Sequence, residues 1–268
     1  MGLLVKANRA LISGVVVDVP VQAVGAYVGF AMRRMQAGEQ YEHPIQAERE
    51  LCVVVLTGVV DVCVDGQTFV QLGQRMSVFE DVAPTAVYAP AGAQVLIQAH
   101  TNADIALCSA PDTVRSLAPR VIEPSMMAQS VRGKGSNTRY VTDILPQTEP
   151  AQSLLVVEVK TPSGHSSSYP PHKHDRDAIP EESVLEETYY HQVNPPQGFV
   201  FQRVYTDERD IDESHAVENH DVMIVPRGYH PVVAPHGYDS YYLNVMAGPT
   251  RQWHFKNDPA HEWMIEQK

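Results

Sequence analysis

The 268-residue sequence is poor in basic side chains and in long apolar runs. Its 20 Lys and Arg residues stand against 32 Asp and Glu residues, and the net charge of -12 repels a phosphate backbone or an anionic lipid surface. Nucleic acid and membranes are therefore not expected as partners, and a small molecule is favoured. No apolar run reaches the roughly 18 residues of a membrane-spanning helix.

Cysteine is also scarce, with three residues in the whole chain and no Cys-x-x-Cys pair that could bind a metal or cycle between redox states. Cys52, Cys63 and Cys108 lie in apolar stretches, and we expect small buried side chains that suit a reducing compartment. The apolar segment 10–17 ends at Asp18 and is too short for a signal peptide. We therefore expect a cytoplasmic protein.

What the sequence does contain is short valine-rich runs with two-residue alternation, separated by Gly and Pro turns. The dipeptide Asp65-Gly66 between two such runs predicts a β-hairpin. The pattern predicts an all-β protein of the sandwich or barrel type. The runs are 14–19, 26–32, 51–56, 59–64 and 95–100 in the first half, and 154–159, 187–193, 199–205, 222–225 and 241–246 in the second.

A polar, glycine-rich stretch from Ser130 to Arg139 and a breaker cluster at 146–152 divide the chain. We therefore predict an N-terminal barrel at 1–130, a linker at 131–153 and a C-terminal barrel at 154–268.

The two halves echo one another, which indicates an internal duplication. The segment 89–92 (Ala-Pro-Ala-Gly) matches 225–228 (Val-Pro-Arg-Gly) at a spacing of 136 residues. Glu50 and Glu187, each followed by a strand-like run, match at a spacing of 137.

The sharpest chemical motif is His172-Lys173-His174. On an extended strand the two imidazoles point to one face and Lys173 to the other. Glu187 opens a strand thirteen residues later, and His230 follows a Pro-x-Gly turn. Three imidazoles and one carboxylate suit a single first-row divalent ion (Zn, Mn, Fe or Ni) with open coordination positions.

These motifs resemble those of the cupin superfamily, and the two halves resemble a bicupin, which has two tandem cupin-type β-barrels (double-stranded β-helices). More narrowly, five motifs in chain order resemble the 5-deoxy-glucuronate isomerase family of myo-inositol catabolism. They are 167–175 (SSYPPHKHD), 185–190 (LEETYY), 198–206 (GFVFQRVYT), 226–231 (PRGYHP) and 241–248 (YYLNVMAG).

The resemblance implies one divalent metal ion held by His172, His174, Glu187 and His230, with Glu186 as the rival carboxylate. The first half has no matching histidines, so no second metal is expected there. The implied reaction converts 5-deoxy-glucuronate to 5-dehydro-2-deoxy-gluconate through a metal-chelated enediolate, and the substrate is a small anionic sugar.

Other side chains are candidates for proton transfer or for substrate binding. Alternation puts Tyr189 on the face of Glu187, which makes it a candidate acid/base group, with Glu186 or a metal-bound hydroxide as the alternatives. The substrate carboxylate requires an arginine, and Arg203 is the first choice. The further candidates for substrate binding are Tyr205, Arg227, Tyr242 and Asn244.

Two other functions stay open at this stage. An Fe-dependent cupin dioxygenase uses the same ligand set, and oxygen consumption would identify it. A non-catalytic sugar-binding bicupin would hold no stoichiometric metal. A homo-oligomer formed through exposed strand edges is also expected.

Overall fold

The computed structural model of the chain describes residues 2–266. Residues 2–122 contain the strands β1 (Leu4–Val5), β2 (Gly14–Val19), β3 (Gly29–Met35), β4 (Gln40–His43), β5 (Arg49–Thr57), β6 (Val60–Val64), β7 (Gln67–Leu72), β8 (Thr85–Ala89), β9 (Val95–Ala99), β10 (Ala103–Pro111) and β11 (Arg120–Ile122). The later strands are β12 (Ala128–Arg132), β13 (Arg139–Leu145), β14 (Leu155–Thr161), β15 (Ser166–Ser167), β16 (His172–Lys173), β17 (Asp175–Ala178), β18 (Glu182–Val184), β19 (Glu186–Asn194), β20 (Phe199–Tyr205), β21 (Asp212–Glu218), β22 (Val222–Val225), β23 (Val232–Val233), β24 (Asp239–Ala247) and β25 (Lys256–Asn257).

Helical structure is confined to short segments in the described part of the chain. They are α1 (Val21–Val24), α2 (Trp263–Glu266) and 3-10 turns at Pro124–Met126 and Gly135–Asn137. None of these helices has the length and apolarity needed to cross a membrane.

The first barrel consists of two antiparallel sheets. A six-stranded sheet has the order β11-β8-β5-β10-β3-β2, and a four-stranded sheet has the order β4-β9-β6-β7. The predicted hairpin at Asp65-Gly66 joins β6 to β7, and both residues have positive φ, as a tight two-residue turn requires.

The second barrel repeats this plan with a larger sheet. Seven strands have the order β1-β22-β19-β24-β14-β13-β12, and a four-stranded sheet of β15-β23-β20-β21 faces them. Two short antiparallel pairs, β16-β25 and β17-β18, close the end of the barrel that carries the histidine motif. The prediction of two tandem β-barrels therefore describes the architecture.

The predicted boundaries need two corrections. Residues 131–153 are not a free linker, because β13 and part of β12 lie in this range and extend the large sheet of the second barrel. The chain also begins in the second barrel, since Leu4 in β1 pairs with Met223 in β22. The glycines at 133 and 135 lie in the turn of the β12-β13 hairpin and not at a domain junction.

Three apolar clusters form the core. One fills the first barrel around Val53 and Ile105, and one fills the second barrel around Val204 and Val225. The third lies between the barrels, where residues such as Phe30 from one half pack with residues such as Leu243 from the other. The interface also buries the ion pair of Arg75 and Glu158, whose Nη2 and Oε2 atoms are 2.8 Å apart. This shared core fixes the barrels against each other.

Candidate metal centre

Three histidines converge at the closed end of the second barrel. Strand β16 carries His172, His174 follows it directly, and His230 lies in the turn between β22 and β23. One ring nitrogen from each lies within 4.8 Å of the others. The ring centres of His172 and His230 are 4.7 Å apart, and those of His174 and His230 are 5.2 Å apart. The structure thus brings together the imidazoles that the sequence motif selected.

Glu187 lies beside these rings and is fully buried. Its Oε1 contacts Nε2 of His174, and its Oε2 lies 3.6 Å from Nε2 of His230. Asn244 on the neighbouring strand β24 donates from Nδ2 to Oε2 at 2.9 Å. Although burial opposes ionisation, the charges of His174 and His230 hold the pKa of Glu187 below its usual value. The carboxylate is therefore ready to act as an anionic ligand.

The orientation of the rings fits a metal ion. Nδ1 of His174 donates to the carbonyl oxygen of Leu185 at 3.0 Å, and Nδ1 of His230 donates to that of Gly228 at 2.9 Å. These bonds direct both Nε2 atoms into the cluster, where they and Oε1 of Glu187 are buried and have no hydrogen-bond partner outside the cluster. Such backbone contacts commonly orient metal-binding histidines. The donor set and its unpartnered atoms fit one divalent ion.

Lys173 points away from the cluster, as strand alternation predicts. Its Nζ donates to Asp175 at 2.9 Å and to Asp207 at 2.8 Å. The ammonium group is thus held by carboxylates on the other side of β16.

A small cavity of about 40 Å³ adjoins the cluster inside the barrel. Tyr189 lies in it, with its ring centre 5.6 Å from that of His230 and its hydroxyl 3.2 Å from Oγ of Ser168. Burial, together with the nearby Glu187 charge, raises the pKa of Tyr189 well above its usual value. The cavity is lined by Arg132, Val141, Val157, Val159, Ser168, His172, Tyr189, Tyr242, Asn244 and Trp253.

Two of the predicted substrate contacts, Tyr242 and Asn244, therefore face the site, and three do not. Arg203 and Tyr205 lie on the outer face of β20, because Val200, Gln202 and Val204 occupy the inner face. The guanidinium of Arg203 forms two hydrogen bonds with Asp212, at 2.7 and 2.8 Å.

Tyr205 and Arg227 also have partners outside the cavity. The hydroxyl of Tyr205 donates to Asp258 at 2.8 Å. The exposed guanidinium of Arg227 pairs with Asp210. The sequence argument chose the wrong face of β20, since alternation alone does not show which face is inside.

Glu186 is the second correction. Its carboxylate lies at the interface between the barrels and accepts backbone N–H bonds from Ala26 at 2.8 Å, Tyr27 at 2.8 Å and Val28 at 3.4 Å. It is one residue from Glu187 on β19 and therefore faces the opposite side of the sheet. The carboxylate of Glu186 thus lies on the side of the sheet away from the histidines.

Sequence reasoning missed a pair of arginines on the β12-β13 hairpin. Arg132 on β12 and Arg139 on β13 are direct cross-strand partners. Arg132 lines the cavity and lies over the Trp253 ring at 5.6 Å. Burial, opposed by Tyr242 and reinforced by Arg132, lowers the pKa of Arg139. Their position on either side of a Gly-x-Gly turn was the available signal, but it was taken as part of a linker.

Comparisons with known proteins agree with this description. The model of the KduI/IolB family matches residues 3–264. The curated 5-deoxy-glucuronate isomerase of Halalkalibacterium halodurans is 53% identical over 269 residues, covering 98% of this chain and 99% of that one. That of Geobacillus kaustophilus is 48% identical over 267 residues, covering 99% of this chain and 96% of that one. The prediction of an enzyme of this kind is confirmed.

Solved structures show the same fold. An IolB-like protein from Salmonella typhimurium LT2 has a TM-score of 0.95 at 46% identity, with 99% of this chain and 100% of that chain covered. The oxalate decarboxylase of Lactobacillus farciminis has a TM-score of 0.65 at 12% identity, with 100% and 91% covered, which speaks for the fold alone. The bicupin prediction is confirmed, and the chain belongs to the KduI/IolB family.

Proposed function

We propose that this protein is a metal-dependent isomerase that converts 5-deoxy-glucuronate to 5-dehydro-2-deoxy-gluconate in inositol catabolism. The observation that carries the proposal is the convergence of His172, His174, Glu187 and His230 beside a cavity that Tyr189, Tyr242 and Asn244 also line. The curated relatives named for this activity support the choice of substrate.

The four side chains would hold one divalent ion, which supplies a Lewis acid for the two adjacent oxygens on which negative charge develops as a proton moves between C1 and C2. Asn244 fixes Glu187 through its 2.9 Å hydrogen bond and keeps the carboxylate aimed at the histidines. The backbone bonds of His174 and His230 do the same for the rings. The protein therefore supplies a preorganised site.

Tyr189 would serve the substrate oxygens, because it lines the cavity beside the histidines. Because its pKa is raised, the phenol keeps its proton at neutral pH and can donate a hydrogen bond or a proton. Ser168 links it to Tyr242, since its Oγ lies 3.2 Å from one hydroxyl and 3.5 Å from the other. We assign Tyr189 as the acid/base candidate, with the hydroxyl of Ser168 holding it in position.

Arg132 and Arg139 are the groups that we assign to the substrate carboxylate. Like charges directly opposite each other on paired strands are unfavourable. Among the carboxylates of residues 2–266, that of Asp143 lies within 4.0 Å of the pair, at 3.7 Å from Arg132. An anion bound between the two guanidiniums relieves this repulsion. The pair thus provides the cationic end that Arg203 was first expected to supply.

The cellular setting stays a prediction. The three cysteines are free, which suits a reducing cytoplasm. The homo-oligomer and the identity of the metal are likewise predictions.

The test is an isomerisation assay with 5-deoxy-glucuronate on the wild type, on chelator-treated protein and on His174→Ala. We expect chelation and substitution each to lower turnover at least about 1000-fold, because both remove the Lewis acid. Readdition of one divalent ion per chain should restore the wild type and not the variant. Full turnover of His174→Ala, with or without metal, would refute the proposal.

A further inference from the structure

The first barrel has a cavity at the place where the second barrel has its metal centre. Strand register relates the two: Leu51 pairs with Ala89 in β5 and β8, as Glu187 pairs with Val225 in β19 and β22. Leu51 thus stands where Glu187 stands and removes the carboxylate ligand. The site that remains is not built for a metal.

The cavity is larger than the one beside the histidines, at about 370 Å³. This volume accommodates a ligand of monosaccharide size. Its lining combines apolar wall residues with several polar groups. The lining residues are Val15, Asp18, Val19, Pro20, Val21, Gln22, Gly29, Phe30, Ala31, Tyr41, His43, Pro44, Gln46, Arg49, Leu51, Leu107 and Ser109.

Its polar groups leave hydrogen-bonding capacity unused. Nδ1 of His43 is 3.1 Å from the hydroxyl of Tyr41, whereas Nε2 is buried and has no partner in the structure. Arg33 lies at the edge with its guanidinium carbon 4.0 Å from the centre of the Tyr41 ring, and its buried Nε has no partner either. Buried polar atoms without partners are costly, so a bound ligand that satisfies them is stabilised.

Two arginines lie at the cavity, Arg49 in its wall and Arg33 stacked on the lining residue Tyr41. Burial lowers the pKa of Arg49, and the charges of Glu186 and Glu50 offset this only in part. Arg49 holds the wall together by donating from Nη2 to the carbonyl oxygens of Tyr27 at 2.5 Å and Ser109 at 2.8 Å. Among residues 2–266, no carboxylate lies within 4.0 Å of the guanidinium of Arg33 or Arg49. Asp18 is the acidic side chain of the lining, and it is exposed.

We infer that the first barrel binds a carboxylate of monosaccharide size in this cavity without a metal ion. Arg33 and Arg49 face the carboxylate group, and Nε2 of His43 hydrogen-bonds to a hydroxyl or carboxylate oxygen of the same molecule. Bound there, the ligand occupies a second site in each chain, separate from the metal centre.

The test is calorimetric titration of the metal-loaded protein with D-glucuronate, comparing wild type, the double variant Arg33→Met with His43→Leu, and Arg115→Met. Arg115 is an exposed arginine of the same barrel that pairs with Asp65, so its variant is the matched control for loss of charge. We expect the double variant to bind one D-glucuronate fewer per chain than the wild type and the control. D-glucose, which lacks the carboxylate, should not bind at this site.

Isomerase turnover and the thermal midpoint, measured on the same samples, show that the double variant is folded, because its substitutions lie outside the second barrel. Arg33→Lys keeps the charge and should therefore keep the first-barrel site, with an affinity for D-glucuronate within about 10-fold of wild type. Equal site numbers in the double variant and the wild type would overturn the inference. Failure of the isomerase proposal would instead show as absent turnover in every sample, which leaves the site count intact.

Discussion

The two barrels share a strand plan and differ at a few positions that decide their chemistry. On β5 and β10, Val53 pairs with Leu107, and on β19 and β24, Tyr189 pairs with Asn244 at the same place. Leu51 likewise replaces Glu187. At these positions the first barrel is therefore apolar, whereas the second buries polar groups that hold one another by hydrogen bonds.

The two barrels are alike in the contacts by which each binds the other. By strand register the equivalent of Glu50 is Glu186 and not Glu187, so the true spacing is the 136 residues of the Pro-x-Gly turns. The buried carboxylate of Glu50 accepts N–H bonds from residues 152–154 of the second half at 2.6–2.8 Å. Glu186 accepts them from residues 26–28 of the first half. The duplication thus preserves a reciprocal clamp and not a metal site.

The largest effect that we expect is on stability, when a carboxylate of the reciprocal clamp, Glu50 or Glu186, is replaced. Glu50→Gln should lower the free energy of unfolding by about 3–5 kcal/mol, because the fully buried carboxylate also accepts from the Tyr88 hydroxyl at 2.7 Å. Glu186→Gln, at a partly exposed position, should lower it by about 1–2 kcal/mol. Urea unfolding measures both, with the exposed Glu48→Gln as control.

Isomerase assays on these variants sharpen the comparison. Because Glu186 faces away from the histidines, Glu186→Gln should keep turnover within about 3-fold of wild type at a temperature where it is folded. A loss of 100-fold or more would restore Glu186 as a catalytic base and contradict the assignment of its carboxylate to the interface.

The next effect concerns the arginine pair on the β12-β13 hairpin of the second barrel. Arg132→Met and Arg139→Met should each raise KM for 5-deoxy-glucuronate about 10–100-fold, which corresponds to roughly 1.4–2.8 kcal/mol. Metal content should not change. Steady-state kinetics measure this, with Arg203→Met as the matched control, since Arg203 is paired with Asp212 on the outer face. An equal rise in KM for Arg203→Met would point to the outer face instead.

The smallest effect that we expect is a loss of folding stability in acid, caused by a histidine partly buried between the barrels. His220 is partly buried between the barrels, with its Nδ1 2.6 Å from the Tyr190 hydroxyl and its Nε2 3.3 Å from Nη2 of Arg34. This burial lowers the pKa of His220 to about 4. In the unfolded chain His220 has its ordinary pKa near 6.5, so between about pH 6.5 and pH 4 it is protonated there but neutral in the folded chain. Stability therefore falls as the pH drops from about 6.5 to about 4.

His220→Gln should remove roughly 1–2 kcal/mol of this loss, because glutamine does not titrate in that range. Thermal midpoints at pH 7 and pH 4.5 measure it, and the exposed His236→Gln serves as control. An unchanged pH dependence in His220→Gln would assign the sensitivity to other groups.

Much of the fold was predictable because the strands carry strong local signals. The predicted runs at 14–19, 199–205 and 222–225 coincide with β2, β20 and β22, and the hairpin at Asp65-Gly66 forms as its turn chemistry requires. The termini were not predictable, since β1 pairs across 218 residues with β22, and no local pattern encodes such a contact. The β12-β13 hairpin was missed for a different reason, because its local signal at Gly133 and Gly135 was interpreted as a domain linker.

The site was predictable where spacing alone defines a face. His172 and His174 share one side of an extended segment, and the turn at Gly228, with its positive φ and close approach to the Tyr205 carbonyl, sets His230. Arg203 was misplaced because the orientation of β20 depends on the barrel it closes. Arg132 and Arg139 were missed because cross-strand pairing decides their proximity.

The most direct test of the account is the metal content of the purified protein beside that of Glu187→Leu, which gives the second barrel the residue of the first. Elemental analysis should find one divalent ion per wild-type chain and none in the variant, with both proteins folded by circular dichroism. Two ions per wild-type chain, or an ion retained by Glu187→Leu with turnover intact, would contradict a single centre built on His172, His174, Glu187 and His230.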